Sequence, residues 1–140
     1  GTLTSFKISK PGELINKSNW ANVMPKRYQI ITSIIRFLNI SLKESSNVPF
    51  PVPDGICLDA DYGIWVASPT TSEVIRYKKG GQITDRIATP NPAYACMLGG
   101  ENGKELYILT AESSVPQFCK ENKTGEIYKV SVSNERAGQP

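Results

Sequence analysis

Apolar and polar residues alternate in short runs along most of the chain, which is the two-residue period of half-buried β-strands. Thr2 to Ser9 sets Leu3, Ser5 and Lys7 against Thr4, Phe6 and Ile8, and Lys10-Pro11-Gly12 ends the run. Glu13 to Trp20 reads as the returning arm of a hairpin. Further strands are predicted at Gly55 to Asp59, Ile64 to Ser68, Glu73 to Lys79, Gln82 to Thr89, Tyr94 to Leu98, Glu105 to Thr110 and Glu126 to Val132. Asp61-Tyr62-Gly63, Gly80-Gly81, Gly99-Gly100 and Asn102-Gly103 supply the turn chemistry between them. Turn signals spaced about 8 to 12 residues apart predict an all-β protein.

The runs also repeat. Pro53 to Ser68 lines up with Tyr94 to Thr110, so that Cys57 falls on Cys96 and Trp65-Val66 falls on Tyr107-Ile108. The offset is 39 residues for the cysteines and 42 for the aromatics. Glu73-Val-Ile-Arg-Tyr-Lys78 followed by Gly81-Gln-Ile-Thr-Asp-Arg86 recurs as Gly1 to Lys7 followed by Gly12 to Lys17, and again as Gly125-Glu-Ile-Tyr-Lys-Val130. A period of about 40 to 50 residues with four short strands per unit describes propeller blades; a β-meander with coincidental similarity is the alternative. On the propeller reading, residues 1–24 supply the outer strands of one blade, 50–89 a complete blade and 90–135 a partial last blade. That makes two to three blades of four-stranded antiparallel sheet, where a propeller closes with about four to eight. The chain is not expected to close alone.

Residues 25–49 stand apart as an apolar insert. Within Lys26 to Lys43, Ile30, Ile31, Ile34, Ile35, Phe37, Leu38 and Leu42 show helical spacing, yet many are β-branched. Two readings stand open: an amphipathic helix that caps the fold or covers an edge, or a stretch foreign to the fold, such as a misjoined gene segment.

Composition narrows the chemistry. With 16 Lys and Arg against 13 Asp and Glu, the net charge of +3 is small and scattered, and no basic stripe suits nucleic acid. No histidine is present, which excludes His-based triads, imidazole ligands and histidine switches. No run is long and apolar enough for a membrane span, and none near the first residues resembles a signal peptide. Cys57 and Cys96 sit inside apolar runs and read as buried packing residues, with Cys119 apart. Reduced cysteines predict a cytoplasmic location. The sequons Asn16-Lys-Ser18, Asn39-Ile-Ser41 and Asn122-Lys-Thr124 argue weakly for secretion instead.

The phrase Val52-Pro-Asp-Gly-Ile-Cys-Leu-Asp-Ala-Asp-Tyr-Gly-Ile-Trp-Val-Ala67, followed by Val74-Ile-Arg76, resembles the regucalcin/gluconolactonase family, which includes senescence marker protein and luciferin-regenerating enzyme. Cys96 to Tyr107 is similar to that family's penultimate strand pair, and Gly125 to Val130 to its closing strand. The resemblance covers Gly1 to about Met24 and Phe50 to Val132 and leaves the insert out. It implies an incomplete six-bladed β-propeller, of which this chain is the C-terminal portion.

The activity implied is hydrolysis of a small-molecule sugar lactone with one divalent metal, calcium or zinc, in the central channel. The metal would polarise the lactone carbonyl and activate water. Of the family's typical ligands only the Asp of the Pro-Asp-Gly phrase maps here, as Asp54, in a metal and catalytic role; the first-blade Glu and middle-blade Asn have no counterpart. Read from the residues alone, Asp54 is more readily an Asp-Gly turn residue, favoured by Pro53 before it; the resemblance of its surrounding phrase reverses that preference. Gly55 is expected as a backbone necessity beside it, and Trp65 and Tyr107 as packing residues between blades. Asp59-Ala-Asp61-Tyr-Gly63 lacks the remaining ligand positions of a calcium loop and reads as a turn. The other readings are a non-catalytic remnant that binds a partner or self-associates in place of missing N-terminal blades, and a calcium-binding protein without turnover.

Overall fold

The alternating runs pair as antiparallel sheets in a computed structural model of the chain, which describes residues 1–37 and 50–138. Among them, β1 (Thr2–Lys10) and β2 (Glu13–Asn22) form a two-stranded sheet. Pro11-Gly12 makes its turn, with Gly12 at φ +83°, a conformation glycine adopts at little cost. Helix α1 (Lys26–Phe37) follows, its first amides, Tyr28 and Gln29, bonded to the Pro25 carbonyl. The second sheet has β3 (Ile56–Leu58), β4 (Ile64–Ser68), β5 (Glu73–Tyr77) and β6 (Ile83–Ala88) in chain order. The third has β7 (Ala93–Gly99), β8 (Glu105–Thr110) and β9 (Glu126–Ser131), with helix α2 (Pro116–Glu121) between its last two strands.

The two middle strands of the second sheet, β4 and β5, are covered on both faces, which explains their continuous buried runs. On one face Cys57, Trp65, Ala67 and Val74 pack with Ala93, Cys96, Leu98, Leu106 and Ile108 of the third sheet. On the other, Val66, Ile75 and Tyr77 pack with Leu3, Ala21 and Val23 at the open end of the hairpin. Burying each large apolar side chain contributes about 1.5 to 3 kcal/mol. The segment after β9 ties the two larger sheets together: Ala60 N donates to Glu135 O at 2.8 Å, Ala137 N to Leu58 O at 3.1 Å and Arg136 N to Gly103 O at 2.9 Å.

Three features depart from the expected pattern. The hairpin tip has no partner among the described residues, so Phe6, Ile8 and Leu14 are exposed although their alternation suggests a buried face. Cys57 pairs with Trp65, but Cys96 pairs with Ile108, and Tyr107 opposes Met97. Ile108 is therefore the counterpart of Trp65. The one-residue difference turns Tyr107 to the opposite face, because side chains alternate across a strand. Helix α2 has no apolar periodicity and buries no residue; Pro116 at its start presets the backbone without needing an amide partner.

The helical spacing from Lys26 is realised as α1, where Tyr28 meets Phe50 with ring centroids 4.8 Å apart and Ile30 stays exposed. Leu38 and Leu42 lie outside the described residues. No helix among the described residues is long and apolar enough to cross a membrane.

Candidate functional site

Asp54 stands just before β3, where the second sheet meets the third. Its amide donates to Ala67 O at 3.0 Å, while Ala67 N donates to Gly55 O at 2.9 Å, so β4 fixes the backbone on both sides of the Asp-Gly bond. Across the sheet boundary, Gly55 N donates to Tyr94 O at 2.8 Å. A Cβ on Gly55 would lie 2.6 Å from Ala95 Cα, closer than real contacts allow. Glycine is needed here for the approach of two backbones, and it holds the neighbouring aspartate at the junction. Asp54 is exposed, and no hydrogen bond or ion pair to its carboxylate is found among the described residues.

Trp65 is 1% exposed inside the cluster between the second and third sheets, with its indole N–H unpartnered among the described residues. Tyr107 is half-buried and outside both apolar clusters; its ring lies against Gly99. It shares its sheet face with exposed Met97, Leu109 and Ile127, which no described element covers.

Asp59, five residues beyond Asp54, is fully buried and bound to Arg76. Its Oδ1 also accepts the amides of Asp61 at 3.0 Å and Gly63 at 2.9 Å. Both oxygens are thus engaged in holding a turn, which leaves the calcium-loop likeness of Asp59 to Gly63 without free ligands. The hydrogen bonds from Arg76, with Asp59 as the main cause, hold the guanidinium pKa above its ordinary value. Sequence reading missed this pair; its signal was an arginine inside a strand, Glu73 to Tyr77, whose neighbours are apolar.

Cys57 and Cys96 are both buried and reduced. The Cys96 thiol donates to the carbonyls of Gly55 and Trp65. Its proximity to Cys57 is the main cause that lowers the Cys57 pKa and raises that of Cys96, which burial raises further.

These groups test what a cation would meet here. Calcium takes about six to eight oxygen ligands. Among the described residues no three carboxylate or thiol groups lie together in a way that could hold a metal ion. Asp54 is one donor group, and the described residues do not by themselves form a metal site.

Comparison with known proteins places this geometry in context. The model of the SMP-30/Gluconolactonase/LRE-like region matches residues 2–112. Regucalcin of Xenopus laevis is 31% identical over 84 residues, covering 57% of this chain and 28% of that protein. Regucalcin of Homo sapiens is 30% identical with the same coverage. A solved luciferin-regenerating enzyme superposes with a TM-score of 0.60 at 18% identity, over 97% of this chain and 39% of that one. A regucalcin from Agrobacterium tumefaciens, described as a calcium-binding protein, gives 0.56 at 14% identity, over 89% and 36%. At these identities the two structures speak to the fold. This chain spans well under half the length of the relatives it matches, and over that span it belongs to the SMP-30/gluconolactonase/LRE-like family.

Proposed function

We propose that the chain is the C-terminal portion of a six-bladed propeller that hydrolyses sugar lactones with the help of a divalent cation, calcium or zinc, and that Asp54 is its contribution to the site. The observation that carries this reading is Asp54 itself: an exposed carboxylate without a described partner, on a backbone clamped between Ala67 and the Gly55–Tyr94 junction. Family membership supports the substrate class. The uncovered face of Met97, Tyr107, Leu109 and Ile127 supports the need for further blades. Because Asp54 is a lone donor, the remaining ligands are assigned to residues outside those described here, and the chain alone is expected to be inactive.

The experiment is a sugar-lactone hydrolysis assay on the longest native product containing this chain, with and without EDTA, beside its Asp54→Ala variant. Expected are loss of activity with EDTA, and a loss of at least about a hundredfold in the variant with folding intact. Metal-independent turnover, or wild-type activity in Asp54→Ala, would sink the reading.

A second reading, a non-catalytic module that assembles with copies of itself, is favoured by the same uncovered face. Calcium binding without turnover is the third, supported by the likeness to the Agrobacterium tumefaciens protein. Calorimetry of the same product with calcium separates it from the first when run beside the assay.

A further inference from the structure

Cys57 and Cys96 have no part in the hydrolytic reading, yet they are placed as a pair. They stand on β3 and β7, the facing edges of two different sheets, within one apolar cluster. The strands touch backbone to backbone at Gly55 and Tyr94. Cys96 Sγ lies 3.7 Å from Gly55 O, two residues before Cys57, and 3.6 Å from the carbonyl of Trp65, the residue that pairs with Cys57. Access is unequal. Cys57 lines a pocket of about 290 Å³ together with Ile56, Leu58, Met97 and Ala137, a lining that does not include Cys96.

We propose that Cys57 and Cys96 form a reversible thiol–disulfide site, closed by low-molecular-weight disulfides and, when closed, covalently joining the second sheet to the third. Cys57 is the attacking thiol. It gives up its proton, and its sulfur attacks one sulfur of the small disulfide R–S–S–R; that bond breaks and the first R–SH leaves with the proton. Cys96 then loses its proton and attacks the Cys57 sulfur, forming the Cys57–Cys96 bond and releasing the second R–SH. Two protein thiols lose two electrons in all, and the reagent gains them. The neighbouring Cys96 lowers the Cys57 pKa and so favours the thiolate, the form that attacks.

The test exposes the folded full chain to glutathione disulfide, quenches with acid, unfolds it, then counts thiols and maps peptides by mass spectrometry. The reduced chain has 3 cysteines. The expected product contains a Cys57–Cys96 linked peptide without glutathione, whether the exposed Cys119 stays free or takes up glutathione. Cys96→Ser is expected to retain glutathione on Cys57, and Cys57→Ser to leave Cys96 unmodified, with circular dichroism confirming that each is folded. The wild-type map stands without either variant. Wild-type chain that keeps all its thiols, links only through Cys119, or holds glutathione on Cys57 without closing overturns the proposal. Glutathione on Cys96 in Cys57→Ser overturns the order of attack.

Discussion

Arg76 closes on Asp59 with two prongs, Nε to Oδ2 at 2.6 Å and Nη2 to Oδ1 at 3.1 Å, and both side chains are almost wholly out of solvent. Gly63 packs against this pair so closely that a Cβ would lie 2.5 Å from Arg76 Nη2 and 2.6 Å from Asp59 Oδ2. The pair anchors the β3–β4 turn to β5, in the middle of the most buried sheet. Removing either partner strands a buried charge, so Asp59→Ala or Arg76→Leu is expected to cost about 3 to 5 kcal/mol by urea unfolding. Arg76→Lys is expected to lose most of that as well, since an ammonium cannot reproduce the fork. The paired change Asp59→Ala with Arg76→Leu should cost less than the two single losses together; a double-mutant cycle without coupling would contradict this.

Gly55→Ala should separate the second and third sheets, because its Cβ meets backbone atoms that cannot swing aside. A loss of about 1 to 3 kcal/mol is expected, as for other overpacked sites. Gly125→Ala is the control: nothing lies within 4 Å of its added Cβ, and the change should stay within about 0.5 kcal/mol.

Tyr77 is 1% exposed, its hydroxyl has no partner among the described residues, and burial pushes its pKa up to about 12. The unfolded phenol ionises near about 10. Between about pH 10 and about pH 12 the unfolded chain has lost a proton that the folded chain keeps, so stability falls as pH rises through that window. The loss approaches roughly 2 to 3 kcal/mol at the upper end. Tyr77→Phe should remove this contribution and be as stable as wild type, or more so, at neutral pH, because no hydroxyl is left buried and unpaired. Melting curves of the two proteins across the window decide the matter; parallel pH profiles would go against it.

Leu109 and Ile127 oppose one another on the bare face of the third sheet, 42% and 71% exposed. Leu109→Lys with Ile127→Glu places opposite charges across the pair, which strands tolerate. The double variant is expected to unfold at nearly the wild-type denaturant concentration while scattering less light at high protein concentration. Equal scattering would show that this face does not associate.

The sequence was most readable where a turn residue and an apolar run agree. Ile64 to Ser68 and Glu105 to Thr110 come out with the bounds read from the sequence, because Asp61-Tyr62-Gly63 and Asn102-Gly103 mark where their hairpins reverse. The turn role of Asp59 to Gly63 was legible too, for want of calcium ligands, but not what fills the Asp59 carboxylate. Its partner lies 17 residues away in sequence, and only the β4–β5 register brings Arg76 to it. Aromatic set on aromatic matches Tyr107 to Trp65, whereas strand pairing, which fixes the face, puts Ile108 there. Phe6, Ile8 and Leu14 show the limit of alternation, which marks an apolar face without saying whether anything covers it. Its phrase marks Asp54 in the sequence, whereas the clamp on its backbone comes from β4 and Tyr94, which only the fold brings to it.

The hydrogen bond from Gly55 N to Tyr94 O crosses from one sheet to the next, whereas that from Ala67 N to Gly55 O stays within a sheet. Deuterium can replace the Gly55 amide hydrogen only when the two sheets part. At Ala67 it must wait for β4 to leave the strand beside it. Two amides that meet at a single glycine therefore time different openings, and the ratio of their exchange rates reports how often the sheets separate while each remains whole.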